Sequence, residues 1–202
     1  MRMSDTSTWG DNGPLPDNGV VVYSNSELRT VVESSLRKGK SVPPIGLLGG
    51  DLCRTLGGRG ERERLFKPEA IRLQVDLGVV LLDGKITWFC SHVIAGSLWE
   101  DRFWIAANAA YYGHWNIAPR AHPGDGVIDV LDFRLTFKDR LMARKKMYAG
   151  IHIPHPRISY RRLPALQMEF DRPTRLKVDG ENFAKIRQLS VRLDVGALRL
   201  VL

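Results

Sequence analysis

The 202-residue chain is 44% hydrophobic and 26% charged, ordinary values for a globular protein whose core needs no disulfide or metal staple. Its 30 Lys and Arg against 22 Asp and Glu leave a net charge of +8, which favours a polyanionic partner: nucleic acid, anionic lipid or a phosphorylated substrate. Only Cys53 and Cys90 are present, far apart in apolar company, which argues against a secreted disulfide scaffold. No apolar run reaches the ~18 residues of a membrane span, so a cytoplasmic chain is expected.

Residues 1–18 are polar and rich in Gly, Asp, Pro and Asn, without periodicity, and read as a disordered tail lacking a signal-peptide core. Residues 20–23 form a short buried-type strand, and Ser24-Asn25-Ser26 offer capping chemistry for a helix over 27–36. Residues 45–48 read as a second strand, broken by Gly49-Gly50, with a short helix over 51–56 stopped by Gly57-Gly58. This strand–helix–strand–helix order predicts a reduced α/β nucleotide-type domain over 19–78.

Beyond Pro68 the pattern becomes β. Residues 70–82 and 85–93 flank Asp83-Gly84, a hairpin signal. Further strands are expected at 103–111, 126–135, 157–160, 165–170, 174–178, 186–193 and 197–202, with 136–147 readable as strand or short helix. Short strands at this spacing predict an antiparallel β-sandwich over 79–202.

The positive charge concentrates between Arg134 and Arg162, where nine Lys and Arg face only Asp139 and enclose Tyr148 and Tyr160. The cluster suits an anionic lipid surface or a solvated face. RNA stacking is a distant third, because no RNA-binding motif accompanies it.

Three motifs have the composition of a site. Leu47-Leu48-Gly49-Gly50-Asp51 joins a strand to a helix, where glycine-rich loops cradle phosphates, although a tight turn alone also explains it. Pro123-Gly124-Asp125-Gly126 forces a turn whose carboxylate and freed carbonyls suit a hard cation, or is a plain hairpin. Asp179-Gly180-Glu181 is a turn with a carboxylate at its exit, placed either as a general base or simply on the surface. The histidines show no ligand spacing with carboxylate or thiolate partners.

In sequence order, Asn108-Ala-Ala-Tyr-Tyr-Gly, Ile117-Ala-Pro-Arg-Ala, Asp125-Gly-Val-Ile-Asp-Val and Asp179-Gly-Glu resemble landmarks of the diacylglycerol kinase catalytic-domain family, which includes bacterial lipid kinases and sphingosine kinases. Asp51 to Gly57 is similar to that family's Gly-Thr-x-Asn-Asp-Phe-Ala-Arg-x-Leu-Gly segment. The resemblance implies ATP- and magnesium-dependent phosphorylation of a lipid hydroxyl in a cleft between two domains. It implies Glu181 as general base. It implies Asp125 as a magnesium ligand beside the backbone carbonyls of His122 and Val127, and Asp51 and Asp76 as carboxylates of a metal and water network.

The departures fall on the nucleotide side. The family's opening strand ending Asn-Pro-x-Ser-Gly has no counterpart here. Its Gly-Gly-Asp-Gly-Thr loop is replaced by Tyr23-Ser24-Asn25-Ser26-Glu27, and the later Gly-Thr pair by Leu47-Leu48. Ser24, Asn25, Ser26, Gly49 and Gly50 are therefore expected to line degenerate phosphate loops. Two functions follow as expectations. One is a lipid kinase with impaired catalysis, completed by another chain. The other is a pseudokinase, peripheral at the membrane, that binds lipid, a partner kinase or a second copy of itself.

Overall fold

The structure is a computed structural model that describes residues 10–100 and 102–202. Strand β1 (Gly10–Asn12) pairs antiparallel with β4 (Ile71–Leu82), so the stretch expected as tail is structured from residue 10; residues 1–9 lie outside the described residues. Leu15 explains the anchoring. It is buried against Leu65, Ala70 and Val201, and its N–H donates to the Leu65 carbonyl at 2.7 Å.

Strands β2 (Val20–Val22) and β3 (Ile45–Leu47) pair in parallel, as a strand–helix–strand crossover requires. The connecting helix α1 spans Asn25–Arg37. Ser24 Oγ accepts the Glu27 N–H, and Glu27 reaches back to the Tyr23 N–H at 2.8 Å, a variant capping box. Asn25, Leu28, Arg29 and Val32 form its buried face, the i, i+3, i+4, i+7 stripe of an amphipathic helix. Helix α2 (Gly50–Thr55) buries Leu52 and Cys53 into the same core. Burying a leucine of this kind contributes about 1.5–3 kcal/mol.

The β region is one hydrogen-bonded network folded over on itself. One layer contains β4, β5 (Lys85–Phe89), β12 (Ala165–Val178) and β13 (Glu181–Val201). The other contains β6 (His92–Gly96), β7 (Phe103–Ala107), β10 (Ile128–Phe133) and β11 (Ile158–Leu163). Val80, Phe89, Leu176 and Leu189 of the first layer meet Val93, Trp104 and Val130 of the second in a shared core. A small hairpin of β8 (Tyr111–Tyr112) and β9 (Trp115–Asn116) lies apart from it. Gly78 is obligatory here: a Cβ would fall 2.1 Å from the ring of Phe89, its partner across the β4–β5 ladder.

Other sequence expectations are refined, and the strand expected at 85–93 is two, β5 and β6. Residues 136–147 resolve as helix: Thr136 caps α3 (Phe137–Met147), which covers the outer face of β7 and β10 with Ala143 and Met147. The four strands expected at 165–170, 174–178, 186–193 and 197–202 are two long strands. The β12–β13 ladder shifts register between Glu169 and Thr174 and again between Arg175 and Lys177, and the β13–β4 ladder between Asp194 and Leu198. The expected domain boundary at 78 falls inside β4, which runs unbroken from Ile71 to Leu82.

The end of β13 runs between β4 and β3, with Leu200 opposite both Leu73 and Ile45, so the last strand belongs to both parts of the molecule.

Candidate functional site

The turns that open α1 and α2 touch. A Cβ on Gly49 would lie 2.3 Å from the Tyr23 carbonyl oxygen, and one on Gly50 would lie 2.4 Å from Asn25 Oδ1. Gly50 also adopts φ +91°, which a residue with a Cβ rarely reaches. Asn25 Oδ1 accepts the Leu52 N–H at 3.3 Å, and Asn25 Nδ2 donates to Asp51 Oδ2 at 3.3 Å. Ser24, Asn25, Ser26, Gly49 and Gly50 are thus brought together, but they bond to and pack on one another. The glycines admit the neighbouring loop. Helix N-termini attract phosphate through open N–H groups; here the Leu52 and Glu27 N–H groups are taken by Asn25 and Ser24, and Glu27 sets a carboxylate at the start of α1.

Asp51 sits beside this contact. Its Oδ1 accepts the Gly113 N–H at 2.8 Å, and Oδ2 lies 3.9 Å from His92 Nδ1. Burial pushes the Asp51 carboxyl up, opposed by the Gly113 hydrogen bond, Arg54 and Asn25. His92 Nε2 lies 2.9 Å from the Ala109 carbonyl, which only a protonated nitrogen satisfies. His92 Nδ1 is therefore left as a buried lone pair with no partner. Burial pulls His92 down to about 4, so the ring is neutral near pH 7 and the 3.9 Å approach is not an ion pair. The Tyr112 ring meets His92 edge-on at 5.7 Å.

Asp179 and Gly180, at φ +50° and +87°, form the two-residue hairpin joining β12 to β13. The Asp179 carboxylate turns inward and accepts the N–H groups of Cys90, Ser91 and His92 at 2.8, 2.7 and 3.1 Å, and the Ser91 hydroxyl at 2.8 Å. The hairpin tethers the start of β6 and puts Glu181 next to α1. There Arg29, its side chain 9% exposed, donates to Glu181. Asp51 thus lies beside His92 and Glu181 beside Arg29, the two carboxylates held by different partners. Glu181 is held in a charge-assisted pair, which competes with any role as proton acceptor.

Asp76 and Asp125 form a separate group. Asp76 is fully buried and accepts the N–H groups of Gly126 and Gly196, both at 2.8 Å, clamping two turns. Asp125 Oδ1 accepts the Val127 N–H at 3.1 Å, and Arg162 donates to Oδ2. The His122 carbonyl accepts the N–H groups of Gly124 and Asp125. Arg162 also lies 3.5 Å from the buried Asp129, its cross-strand partner. These donors do not fit magnesium: a guanidinium already supplies the positive charge, and the His122 carbonyl is engaged in the turn. Among the described residues no three His, Cys, Asp or Glu side chains converge as a metal site. We expect chelators to leave the melting temperature unchanged, whereas Arg162→Met should lower it, by leaving the buried Asp129 with the Tyr160 hydroxyl as its remaining donor. A thermal melt with and without EDTA checks both, and EDTA sensitivity of the native chain would restore the metal.

Sequence reasoning missed Arg29 and His92 as parts of this site, and read Asp179 only as part of a turn. Arg29 carried a signal, a charged residue on the apolar stripe of α1, which asks for a buried partner.

A reduced α/β layer is joined here to an antiparallel β-sandwich. Residues 64–202 match the YegS C-terminal NAD kinase beta sandwich-like domain, and the chain belongs to that family. A diacylglycerol kinase from Bacillus anthracis superposes with a TM-score of 0.68 at 12% identity, over 91% of this chain and 75% of that one. A second Bacillus anthracis structure, whose diacylglycerol kinase assignment is provisional, gives 0.70 at 12%, over 91% and 77%. At such identity the likeness shows the fold alone. No curated protein matches the sequence.

Proposed function

We propose that the chain is a pseudokinase of the lipid kinase fold, which binds a lipid surface or a partner without transferring phosphate from ATP. The observation that carries this reading is the Asn25 side chain seated on the first turn of α2 and packed against Gly50, where a phosphate would have to lie. Phosphoryl transfer depends on positioning and charge neutralisation of the phosphates. A single lost donor of that kind costs about 3 kcal/mol in the transition state, and here the whole loop is committed elsewhere. The Arg29–Glu181 pair adds to it by neutralising the residue that would take the hydroxyl proton.

The second reading is a lipid kinase using ATP and magnesium and completed by another chain. It is supported by the persistence of Asp51 next to the buried His92 and of Glu181 at the exit of the Asp179–Gly180 hairpin. A phosphotransfer assay with labelled ATP and magnesium across a lipid panel separates the two. We expect no labelled lipid and no thermal shift with ATP. Labelled product that disappears in Glu181→Gln would establish the kinase instead. Among the described residues no helix is long and apolar enough to cross a membrane, and a peripheral, cytoplasmic location is part of this proposal.

A further inference from the structure

Helix α3 carries apolar residues on two faces. Ala143 and Met147 pack onto the sandwich. At about 100° per residue, Phe137, Leu141 and Tyr148 fall on a second stripe pointing away from it, and they are 66%, 44% and 55% exposed. Arg144 lies in line with that stripe, and Lys138 and Lys145 flank it. Ile151, just past the helix, and Trp99 extend the exposed apolar surface. Arg144 stacks over the Trp99 ring at 5.7 Å, and Arg140 donates to the Trp99 carbonyl at 2.8 Å, which fixes that loop to the helix. Asp139, the acid within the helix, is turned away from the stripe and engaged by Thr136 and Arg157.

We infer that this face of α3 is a docking surface for an anionic lipid bilayer. An exposed stripe of aromatic and aliphatic side chains rimmed by lysine and arginine matches the layering of a membrane surface: apolar groups enter below the headgroups while the long basic side chains reach back to the phosphates. The stripe from Phe137 to Tyr148 runs about 16 Å along the helix, so its three side chains can enter one plane together. Charge selects this occupant over a second copy of the chain, because a symmetric contact would set the same lysines and arginines against each other. The inference rests on the lipid-surface binding proposed above and gives it a place, α3; it holds whether or not Asp51 and Glu181 take part in phosphate transfer.

The test is co-sedimentation of the full chain with phosphatidylcholine vesicles, with and without phosphatidylglycerol. Binding is expected to the anionic vesicles and to weaken with salt. The surface variant Phe137→Ser/Leu141→Ser/Tyr148→Ser should bind at least about tenfold more weakly with its melting temperature unchanged. Lys138→Glu/Lys145→Glu should lose a similar factor. Equal binding by the Ser variant and the native chain would overturn the inference, since charge alone would then explain the attachment. A native dimer dissolved by the Ser variant would also overturn it by naming another copy as the occupant. So would binding of single-stranded RNA in the absence of vesicle binding.

Discussion

Asp179→Ala is expected to destabilise the protein by about 4 kcal/mol or more, from a stability that in domains of this kind totals about 5–15 kcal/mol. The carboxylate is the acceptor for three backbone N–H groups and one hydroxyl in a fully buried corner, and leaving such donors unsatisfied costs about 1–3 kcal/mol each before relaxation. Alanine also meets strain of about 1 kcal/mol at φ +50°. Asp179→Gly removes the carboxylate without that strain and should recover only this smaller part. Asp179→Asn tolerates the left-handed backbone and keeps one acceptor oxygen, and should be the mildest of the three. Denaturant unfolding of the series checks the order. A glycine variant as stable as the native chain would mean that the carboxylate does not hold the corner together.

The protein should also lose stability steeply between pH 6.5 and pH 4. His92 and His152 are buried, and both are pulled from 6.5 to about 4. The unfolded chain takes up two protons through this window while the folded chain does not, so stability is intact above 6.5 and falls as the pH drops toward 4. Each displaced histidine contributes up to about 3 kcal/mol of this loss. Asp51, Asp129 and Asp179, whose carboxyls burial raises, act in the opposite sense in the acidic part of the range. The histidine contribution is therefore isolated by comparison. His152→Gln keeps a donor for the Ile117 carbonyl and should lose about half of the slope. Identical pH profiles for the variant and the native chain would assign the acid sensitivity to other groups.

Local chemistry was legible in the sequence wherever the partner is a near neighbour. Ser24 and Glu27 announce the start of α1, and Asp83-Gly84 announces the β4–β5 hairpin. The strand expected at 103–111 is present over Phe103–Ala107, buried along its whole length. What was not legible depends on distant partners. Arg29 meets Glu181 across 152 positions, and Arg162 meets Asp125 across 37. Without those contacts, Glu181 and Asp125 read as free carboxylates. Helix α3 was ambiguous because its apolar residues do not gather on one face, and the second stripe that blurs the period is the one assigned here to a membrane. The tail was misread at residues 10–12 because Gly10, Asp11 and Asn12 have low strand propensity; their pairing is imposed by β4 and by the Arg72–Asp11 ion pair.

The shared last strand has a mechanical consequence. Two lobes joined by a linker can swing about it, and a cleft between them can open and close. Here β13 is hydrogen-bonded to β3 on one side and to β4 on the other, so any such swing would have to shear a ladder rather than bend a loop. The two parts should melt together in one cooperative transition.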